Sequence, residues 1–517
     1  MAIRMQVAFV HGPIMILACV SLLLLEVFCA LVRADDPNKA LIIASKAFGY
    51  YEFSFISNQF PDIYQAYWAG FLETNITYDL TRAHFTNTAK GLCEEPLTAD
   101  CVKLKQWLSD NIDYMLENFI YRGFGDEFWY HVGLQLWQLK GMSDAYHKRF
   151  VRNSSVLTHA YPKGLKDDVF GIYIMQLNGD LDELLTALRL DNVYKDPIKK
   201  VTRQDDHPSC SALIKLVPED IFISHVTWTN YKTMLRVLKV YRFPWKIRNG
   251  DGRRIPGEAI SFSSYPSVTS SIDDFYITAA KLVTLETTIG NDNDALWIFV
   301  REGARSSVLS FFRAMIANRL ARTGVEWARY FRQENSGTYF PVVSNLSGIP
   351  EKMARFGDHY DYNKNARAKM FQRDHQKVKD LQTMHDLMRY NNYKEDPLSR
   401  CNCTPPYSAD LAIASRSDLN DPNGSYPLHN LGFRLHGASD AKITNMAMLE
   451  TLDFLATSGP PYTSVPAFQW SKLPIHYDNP EMQPDLWKFQ PCLTNFTGPV
   501  QAYRAKRLIA PSLKPTF

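Results

Sequence analysis

The chain carries almost no excess of charge of either sign. Its 517 residues include 57 lysines and arginines against 54 aspartates and glutamates, which gives a net charge of +3 at pH 7. A strong basic excess is what draws a protein to nucleic acid or to an anionic membrane surface. The composition therefore predicts no nucleic-acid partner, and the length is sufficient for a large buried core.

Two signatures of catalytic or metal sites are missing as well. The serine elbow G-x-S-x-G does not occur, and the nearest matches, at residues 141–145 and 437–441, lack the last glycine. No pair of C-x-x-C units is present, and the acidic turn at residues 358–361 is more typical of a solvated loop than of a metal site. The sequence predicts no metal and no cofactor.

No apolar run reaches the length of about 20 residues that a membrane-spanning helix needs. The run at residues 14–25 follows Arg4, is interrupted by Glu26, and precedes a small-residue pattern that ends at Ala34. This arrangement is typical of a cleaved signal peptide over residues 1–34. We therefore expect a chain that enters the secretory route and has no stable membrane span.

Six asparagines lie in the N-x-S/T pattern that accepts N-linked glycans. They are spread along the whole chain: Asn75, Asn153, Asn345, Asn402, Asn423 and Asn495. Together with the signal peptide, they predict a glycoprotein that is secreted or resides in the lysosomal lumen.

Six cysteines follow the signal peptide, in a compartment that permits disulfides: Cys93, Cys101, Cys210, Cys401, Cys403 and Cys492. Cys93 and Cys101 are close enough in sequence for a local disulfide loop. Cys492 is predicted to pair with Cys401 or Cys403, because a separation of two residues is too tight for an easy bridge. Under either pairing Cys210 stays free.

The free cysteine, Cys210, lies where a polar segment meets an apolar strand. The segment at residues 191–209 is rich in charge and contains two prolines, and an exposed linker of this kind tolerates cutting. Behind it, alternating apolar residues predict a hairpin that brings Cys210 roughly opposite Trp228, with His225 nearby. Free cysteine is among the most buried residue types, so these residues alone favour a core residue over a nucleophile.

The remaining sequence mixes helical and strand patterns. Apolar residues at helical spacing predict helices over residues 102–121, 128–139, 231–241 and 366–390, and alternation predicts strands within 261–283. No internal repeat and no low-complexity tract stands out.

At Cys210 the sequence closely resembles the phospholipase B-like family of secreted and lysosomal proteins. The resemblance is carried first by Cys210-Ser211-Ala212-Leu213, His225-Val226-Thr227-Trp228 and residues 231–236. It continues through residues 285–291, 335–339, 389–391, 414–420, 423–427, 459–470 and 484–489. Nearly the whole chain beyond the signal peptide is covered.

The resemblance implies an α+β fold, a four-layer αββα sandwich of the N-terminal nucleophile hydrolase type. It also implies self-cleavage between Ser209 and Cys210, which divides the proenzyme into an N-terminal chain, residues 35–209, and a C-terminal chain, residues 210–517. The new α-amine of Cys210 would then serve as the base for its own thiol. The expected substrate is a lipid or N-acyl small molecule with an acyl ester or amide bond.

Four further site residues are implied by matching the family position by position. His225 and Trp228 match pocket positions on the second strand of the hairpin, and Thr288 matches the threonine of a Glu-Thr-Thr segment. Arg367 matches a pocket arginine, which can orient an acyl, amide or phosphate group by forked hydrogen bonds. Without the resemblance, Arg367 reads as a charge on a helix surface.

The chain departs from the family pattern directly after Tyr339, where Phe340-Pro341-Val342-Val343 follows at once. In the family, several dozen residues lie at this point, including strands and an active-site asparagine that resembles an oxyanion donor. Loss of one such donor typically lowers the rate by about 10²–10³. Besides a hydrolase, the sequence therefore allows a catalytically impaired luminal glycoprotein or lipid-binding protein, or a structural protein with an unreactive Cys210.

Overall fold

The fold is that of a computed structural model, which describes residues 50–54, 61–149, 162, 164–194, 210–271, 275–287, 293–338, 349–475, 477 and 479–496. Several predictions fall outside these residues. They are the signal peptide, most of the linker at 191–209, and the positions Asn153, Ser209, Thr288 and Asn345.

Thirteen helices occur in the described part of the chain, most of them in its first third and around residues 297–388. They are α1 Asp62–Ile76, α2 Tyr78–Thr88, α3 Ala99–Arg122, α4 Glu127–Tyr146, α5 Ile174–Gln176, α6 Leu181–Leu188, α7 Trp297–Arg301, α8 Ser310–Leu320, α9 Gly324–Phe331, α10 Ile349–Phe356, α11 Ala366–Asp374, α12 Leu381–Met388 and α13 Met446–Thr451.

The strands form two five-stranded sheets and two small pairs. They are β1 Tyr50–Ser54, β2 Ser211–Val217, β3 Asp220–Val226, β4 Trp228–Asn230, β5 Val237–Arg242, β6 Ala259–Ser264, β7 Phe275–Thr278, β8 Val283–Leu285, β9 His436–Ala438, β10 Asp440–Thr444, β11 Leu455–Ser458, β12 Phe468–Gln469, β13 Leu486–Trp487 and β14 Cys492–Leu493. Sheet I has the order β1-β5-β6-β7-β8, and sheet II has the order β14-β11-β10-β3-β2. Only the β1–β5 pairing is parallel among these strands.

Local sequence signals account for the two long helices at the start of the fold. The Thr98 hydroxyl accepts a bond from the Cys101 amide at the start of α3, and the Asp126 carboxylate caps α4 in the same way.

Helices α1 and α4 pack backbone to backbone at two glycines. A Cβ on Gly70 would lie 1.8 Å from a carbonyl oxygen of α4, and one on Gly141 would lie 1.9 Å from a carbonyl oxygen of α1. Larger residues at either position would force the helices apart.

Apolar clusters define how the helices and sheets stack. One large cluster joins α1, α3, α4 and α8 to sheet I, and a second joins α11 and α12 to sheet II. A third lies between the two sheets, where Val240 and Phe275 of sheet I meet Ala456 of sheet II and Phe454, which directly precedes β11. The prediction of an α+β fold is confirmed, with helices packed on a sheet on each side of this central contact.

Two predicted helices take other forms. Residues 231–241 form a short turn of 3-10 helix and then strand β5, which lies between β1 and β6 and so is held by hydrogen bonds on both sides. The long helix predicted over 366–390 is divided into α11 and α12, because Asp380 and Thr383 form a capping box that begins the second helix anew.

The cysteines confirm one disulfide prediction and correct another. Cys93 is bonded to Cys101 as predicted, and Cys210 is a free thiol. The predicted bridge from Cys492 to Cys401 or Cys403 is wrong, because the latter two are bonded to each other. Their Cα atoms lie 5.3 Å apart, within the usual range for a disulfide, so the loop accommodates a spacing that looked too tight.

The contact between the two sheets is expected to carry much of the stability of the fold. Phe454 is fully buried, and its ring lies 5.2 Å from that of Phe275. Phe454→Ala should lower the free energy of unfolding by about 3–5 kcal/mol, measured by denaturant titration. Leu216→Ala, at a side chain that is 74% exposed, is the control and should change it by less than about 0.5 kcal/mol. Equal effects of the two substitutions would contradict this stacking.

Candidate active site

The predicted hairpin brings Cys210 to its predicted neighbours. Strands β2 and β3 pair with Ser211 opposite Val226 and Ala212 opposite His225, so the cysteine meets the chain just beyond β3. There the backbone N–H of Trp228 is hydrogen-bonded to the Cys210 thiol. The Ser211 hydroxyl donates to a backbone carbonyl at 2.7 Å, which fixes the residue after the cysteine.

Arg367 joins this group from the first turn of α11. Its Nη1 donates to the carbonyl oxygen of Cys210 at 2.6 Å and to the Ser211 hydroxyl at 3.2 Å. Its guanidinium lies 4.5 Å from the centre of the Trp228 ring. Arg367 therefore holds the backbone of the cysteine and covers the indole, rather than lying free on a helix surface.

His225 is fully buried beside this group. Its Nε2 lies 2.7 Å from the backbone carbonyl oxygen of Glu286, which can only accept, so Nε2 carries the hydrogen. Nδ1 is then an acceptor, and it has no hydrogen-bond partner among the described residues. Burial, together with the nearby Lys442 cation, lowers the pKa of His225 to about 3, so the imidazole is neutral at any physiological pH.

A buried charge cluster lies behind the cysteine, and no sequence pattern predicted it. The Asp440 carboxylate accepts the Thr227 amide at 2.9 Å and the Lys442 ammonium at 2.7 Å, and it pairs with Arg236 at 3.1 Å. Lys442 also donates to the Thr227 hydroxyl at 2.6 Å. Two cations and one anion leave an excess of one positive charge in a buried position.

This cluster and the burial of the thiol set the charge state of Cys210. Burial and the Glu286 carboxylate raise the pKa of the thiol to about 12, while the Trp228 amide and Lys442 act in the opposite direction. Burial lowers the pKa of Lys442 to about 8. Burial alone would raise the pKa of Asp440, but the Arg236 and Lys442 cations outweigh it and lower that pKa to about 2. In the intact chain the thiol is therefore protonated, and a thiolate requires a base.

Of the predicted site residues, the structure brings together Cys210, His225, Trp228 and Arg367. Thr288 and Ser209 lie outside the described residues. Sequence reasoning missed Asp440, Lys442, Arg236 and Glu286. The available signal for the first two is a pair of charged residues on either side of Ala441, in a strand that is otherwise apolar or small; Asp440 also lies in the segment 437–441, which resembles a serine elbow without its last glycine.

The described ranges lack two further features. No group of three or more His, Cys, Asp or Glu side chains there is arranged to hold a metal ion. No helix in that part of the chain combines the length and the apolar character needed to cross a membrane.

Comparison with known proteins shows the family to which this chain belongs. The model of the Phospholipase B family matches residues 43–339 and 339–494. Phospholipase B-like 2 of Homo sapiens is 38% identical, with 84% of this chain and 81% of that protein covered. Phospholipase B-like 1 of Caenorhabditis elegans is 37% identical, with 85% of this chain and 83% of that protein covered. This chain belongs to the phospholipase B family.

The same comparisons locate a difference from these relatives. The two segments matched by the family model meet at Tyr339. The alignment with the human protein runs over 502 positions, but only 84% of this 517-residue chain takes part in it. The aligned part of this chain is therefore shorter than the alignment. The relative therefore contributes residues that have no counterpart in this chain.

The cation of Lys442 is expected to favour ionisation of Cys210. Lys442→Met removes the excess positive charge, so the pKa of the thiol should rise and alkylation by iodoacetamide below about pH 8 should slow by about tenfold. The rate is measured at Cys210 by peptide mass spectrometry. Lys442→Arg keeps the charge, and the double variant Asp440→Asn, Lys442→Met restores the excess, so both should alkylate faster than the single variant. Equal rates in all three would contradict the assignment.

Proposed function

We propose that this chain is a hydrolase of acyl ester or amide bonds in lipid or N-acyl substrates, with Cys210 as its nucleophile. The observation that carries the proposal is a free thiol at the start of a strand, held by Arg367 and by the Trp228 amide, directly after a charged linker. Such a thiol becomes a chain terminus after one peptide bond is cut.

The stacking of the fold supports an N-terminal nucleophile hydrolase. Helices pack on the outer face of each sheet, and the two sheets pack on each other through the Phe275–Phe454 contact. This stacking is compatible with the four-layer αββα order that the family resemblance implies. Strand β1, in the segment before the cleavage site, pairs with β5 in the segment after it. The two chains would therefore stay together after cleavage.

The first step is cleavage of the Ser209–Cys210 peptide bond. The Cys210 sulfur attacks the Ser209 carbonyl carbon, the C–N bond breaks, and the nitrogen takes a proton to become the α-amine. The thioester that joins Ser209 to the sulfur is then hydrolysed by water, which releases a carboxylate on Ser209 and the free thiol. The reaction consumes one water and needs no cofactor.

In turnover the new α-amine takes the proton of the thiol, a role that the raised pKa of Cys210 makes necessary. An α-amine has a reference pKa of about 7.7–8.0, so part of it is unprotonated at neutral pH. The thiolate attacks the acyl carbon, the leaving oxygen or nitrogen receives the proton, and a thioester forms. Water hydrolyses the thioester to a carboxylic acid and regenerates the thiol.

The surrounding residues would hold Cys210 in position and stabilise the negative charge of the reaction. Arg367 holds the backbone of the nucleophile, and the Trp228 amide already donates to the sulfur. Neutral His225 offers Nδ1 as an acceptor, and Thr288 is proposed as a further pocket residue. The buried Lys442 and Arg236 cations favour the negative charge that develops during attack, as preorganised charges do in other enzymes.

The exposure of the glycan acceptors supports a location in the secretory or lysosomal lumen. All four described glycan acceptors are exposed: Asn75, Asn402, Asn423 and Asn495. A glycan requires an asparagine that is accessible to solvent, so these positions suit a secreted or lysosomal glycoprotein.

A second candidate function is a catalytically impaired lipid-binding glycoprotein. It is favoured by the meeting of the two matched family segments at Tyr339, where the resemblance implies a missing oxyanion donor. Slow turnover of phospholipid or N-acyl amide that disappears in Cys210→Ser would exclude this candidate. Substrate binding without any turnover would establish it.

Cleavage before Cys210 is the most direct test of the proposed nucleophile. The purified full-length protein should contain a fragment that begins at Cys210 by intact mass, together with a separate N-terminal fragment on a denaturing gel. Cys210→Ala should stay uncut, because alanine has no nucleophile. A cut at the same bond in Cys210→Ala would assign the cleavage to another protease, and an uncut wild-type chain would rule out self-activation.

A further inference from the structure

Two of the predicted glycan acceptors meet on one surface of the folded chain. Asn402-Cys403-Thr404 and Asn423-Gly424-Ser425 both have the N-x-S/T pattern, and we call them the Asn402 sequon and the Asn423 sequon. Their third residues, Thr404 and Ser425, pair as an antiparallel bridge, in which each amide donates to the other residue's carbonyl oxygen at 2.8 Å. Both acceptor asparagines are exposed.

The Asn402 sequon is distinguished by a disulfide that closes around its acceptor. Cys401 and Cys403, the residues on either side of Asn402, are bonded to each other. Their Cα atoms lie 5.3 Å apart, whereas two fully extended residues span about 7 Å. Because Cys403 is also the middle residue of the sequon, the sequon cannot extend while the disulfide is closed.

The Asn423 sequon contains no cysteine, and hydrogen bonds alone hold its turn. The Asn423 amide donates to the Asp421 carboxylate at 2.8 Å, and the Gly424 amide donates to the Asp421 carbonyl oxygen at 3.0 Å. Exposed hydrogen bonds of this kind open locally at little cost in free energy. The two sequons thus share the bridge between their third residues and differ in the covalent ring.

We propose that closure of the Cys401–Cys403 disulfide blocks glycan transfer to Asn402, so that Asn402 is modified only while both cysteines are thiols. In the transfer, the side-chain nitrogen of Asn402 bonds to the first sugar of a lipid-linked oligosaccharide and loses a proton. The bond from that sugar to the lipid diphosphate breaks. The transferring enzyme must reach the asparagine nitrogen and the Thr404 hydroxyl together, and the closed ring prevents the extension that this requires.

Closure competes with the transfer for the same stretch of chain. The two thiols are oxidised to one disulfide, and a disulfide of a luminal oxidoreductase takes up the two electrons and two protons. The proposal rests on the proposed luminal location, where both reactions occur, and it does not depend on hydrolysis by Cys210. Chains in which the disulfide closes first carry a glycan on Asn423 and none on Asn402.

The test is to translate the full chain in the presence of secretory-pathway membranes and to measure occupancy at each asparagine by glycopeptide mass spectrometry. In the wild-type chain a majority of copies should carry a glycan on Asn423 and a minority on Asn402. Cys401→Ser leaves Asn402-Cys403-Thr404 intact and removes the ring, so it should raise Asn402 occupancy to a majority and leave Asn423 unchanged. Cys101→Ser opens the other disulfide and is the matched control, with Asn402 occupancy as in the wild type.

Dithiothreitol added during translation tests the unsubstituted chain, so the result does not depend on whether Cys401→Ser folds. The reductant should raise Asn402 occupancy in the wild type and cause no further rise in Cys401→Ser. Equal Asn402 occupancy in these two chains without reductant, or an equal rise at Asn423, would overturn the proposal. If Asn423 still carries a glycan, that result leaves the luminal location standing, whereas no glycan on either sequon in any chain would contradict both.

Discussion

The buried carboxylate of Asp440 is the constraint on which the candidate active site depends. A charge without partners in the protein interior is very costly, so Asp440 requires the donors around it. These donors come from both sheets: Lys442 lies beside it in sheet II, while Arg236 directly precedes β5 of sheet I and also donates to Ser263 of β6. Removing one partner of such a cluster typically costs 3–5 kcal/mol. The same contacts that join the sheets therefore fix the segment after β3 that meets Cys210.

Cys210, the proposed nucleophile, depends on this arrangement in two ways. Thr227 is held by Asp440 and Lys442, so the next residue, Trp228, presents its amide to the sulfur and its ring to Arg367. Burial opposes ionisation of the thiol, and the net positive charge of the cluster reduces that effect only in part. The proposed cleavage would create a base next to the sulfur, and the site would then need no charged histidine.

Local patterns in the sequence predicted much of the frame around Cys210. The hairpin was predictable because β2 alternates and Pro218-Glu219 marks its turn, and α3 was predictable from its apolar spacing. The segment 231–241 was misread because its apolar spacing also suits a central strand, and the pairing with β1 and β6 decides between the two. Asp440 was not predictable as a site residue, because its partners Arg236 and Thr227 lie more than 200 positions away in sequence and meet it only in the folded state.

The central claim is that the Cys210 sulfur carries the acyl group during hydrolysis. It is tested most directly by mixing the purified protein with a long-chain acyl ester or amide, quenching in acid, and mapping covalent adducts by peptide mass spectrometry. The account predicts the mass of the acyl group on a peptide that begins at Cys210, as a thioester that hydroxylamine removes. Substrate hydrolysis with no acyl group on that peptide would contradict it.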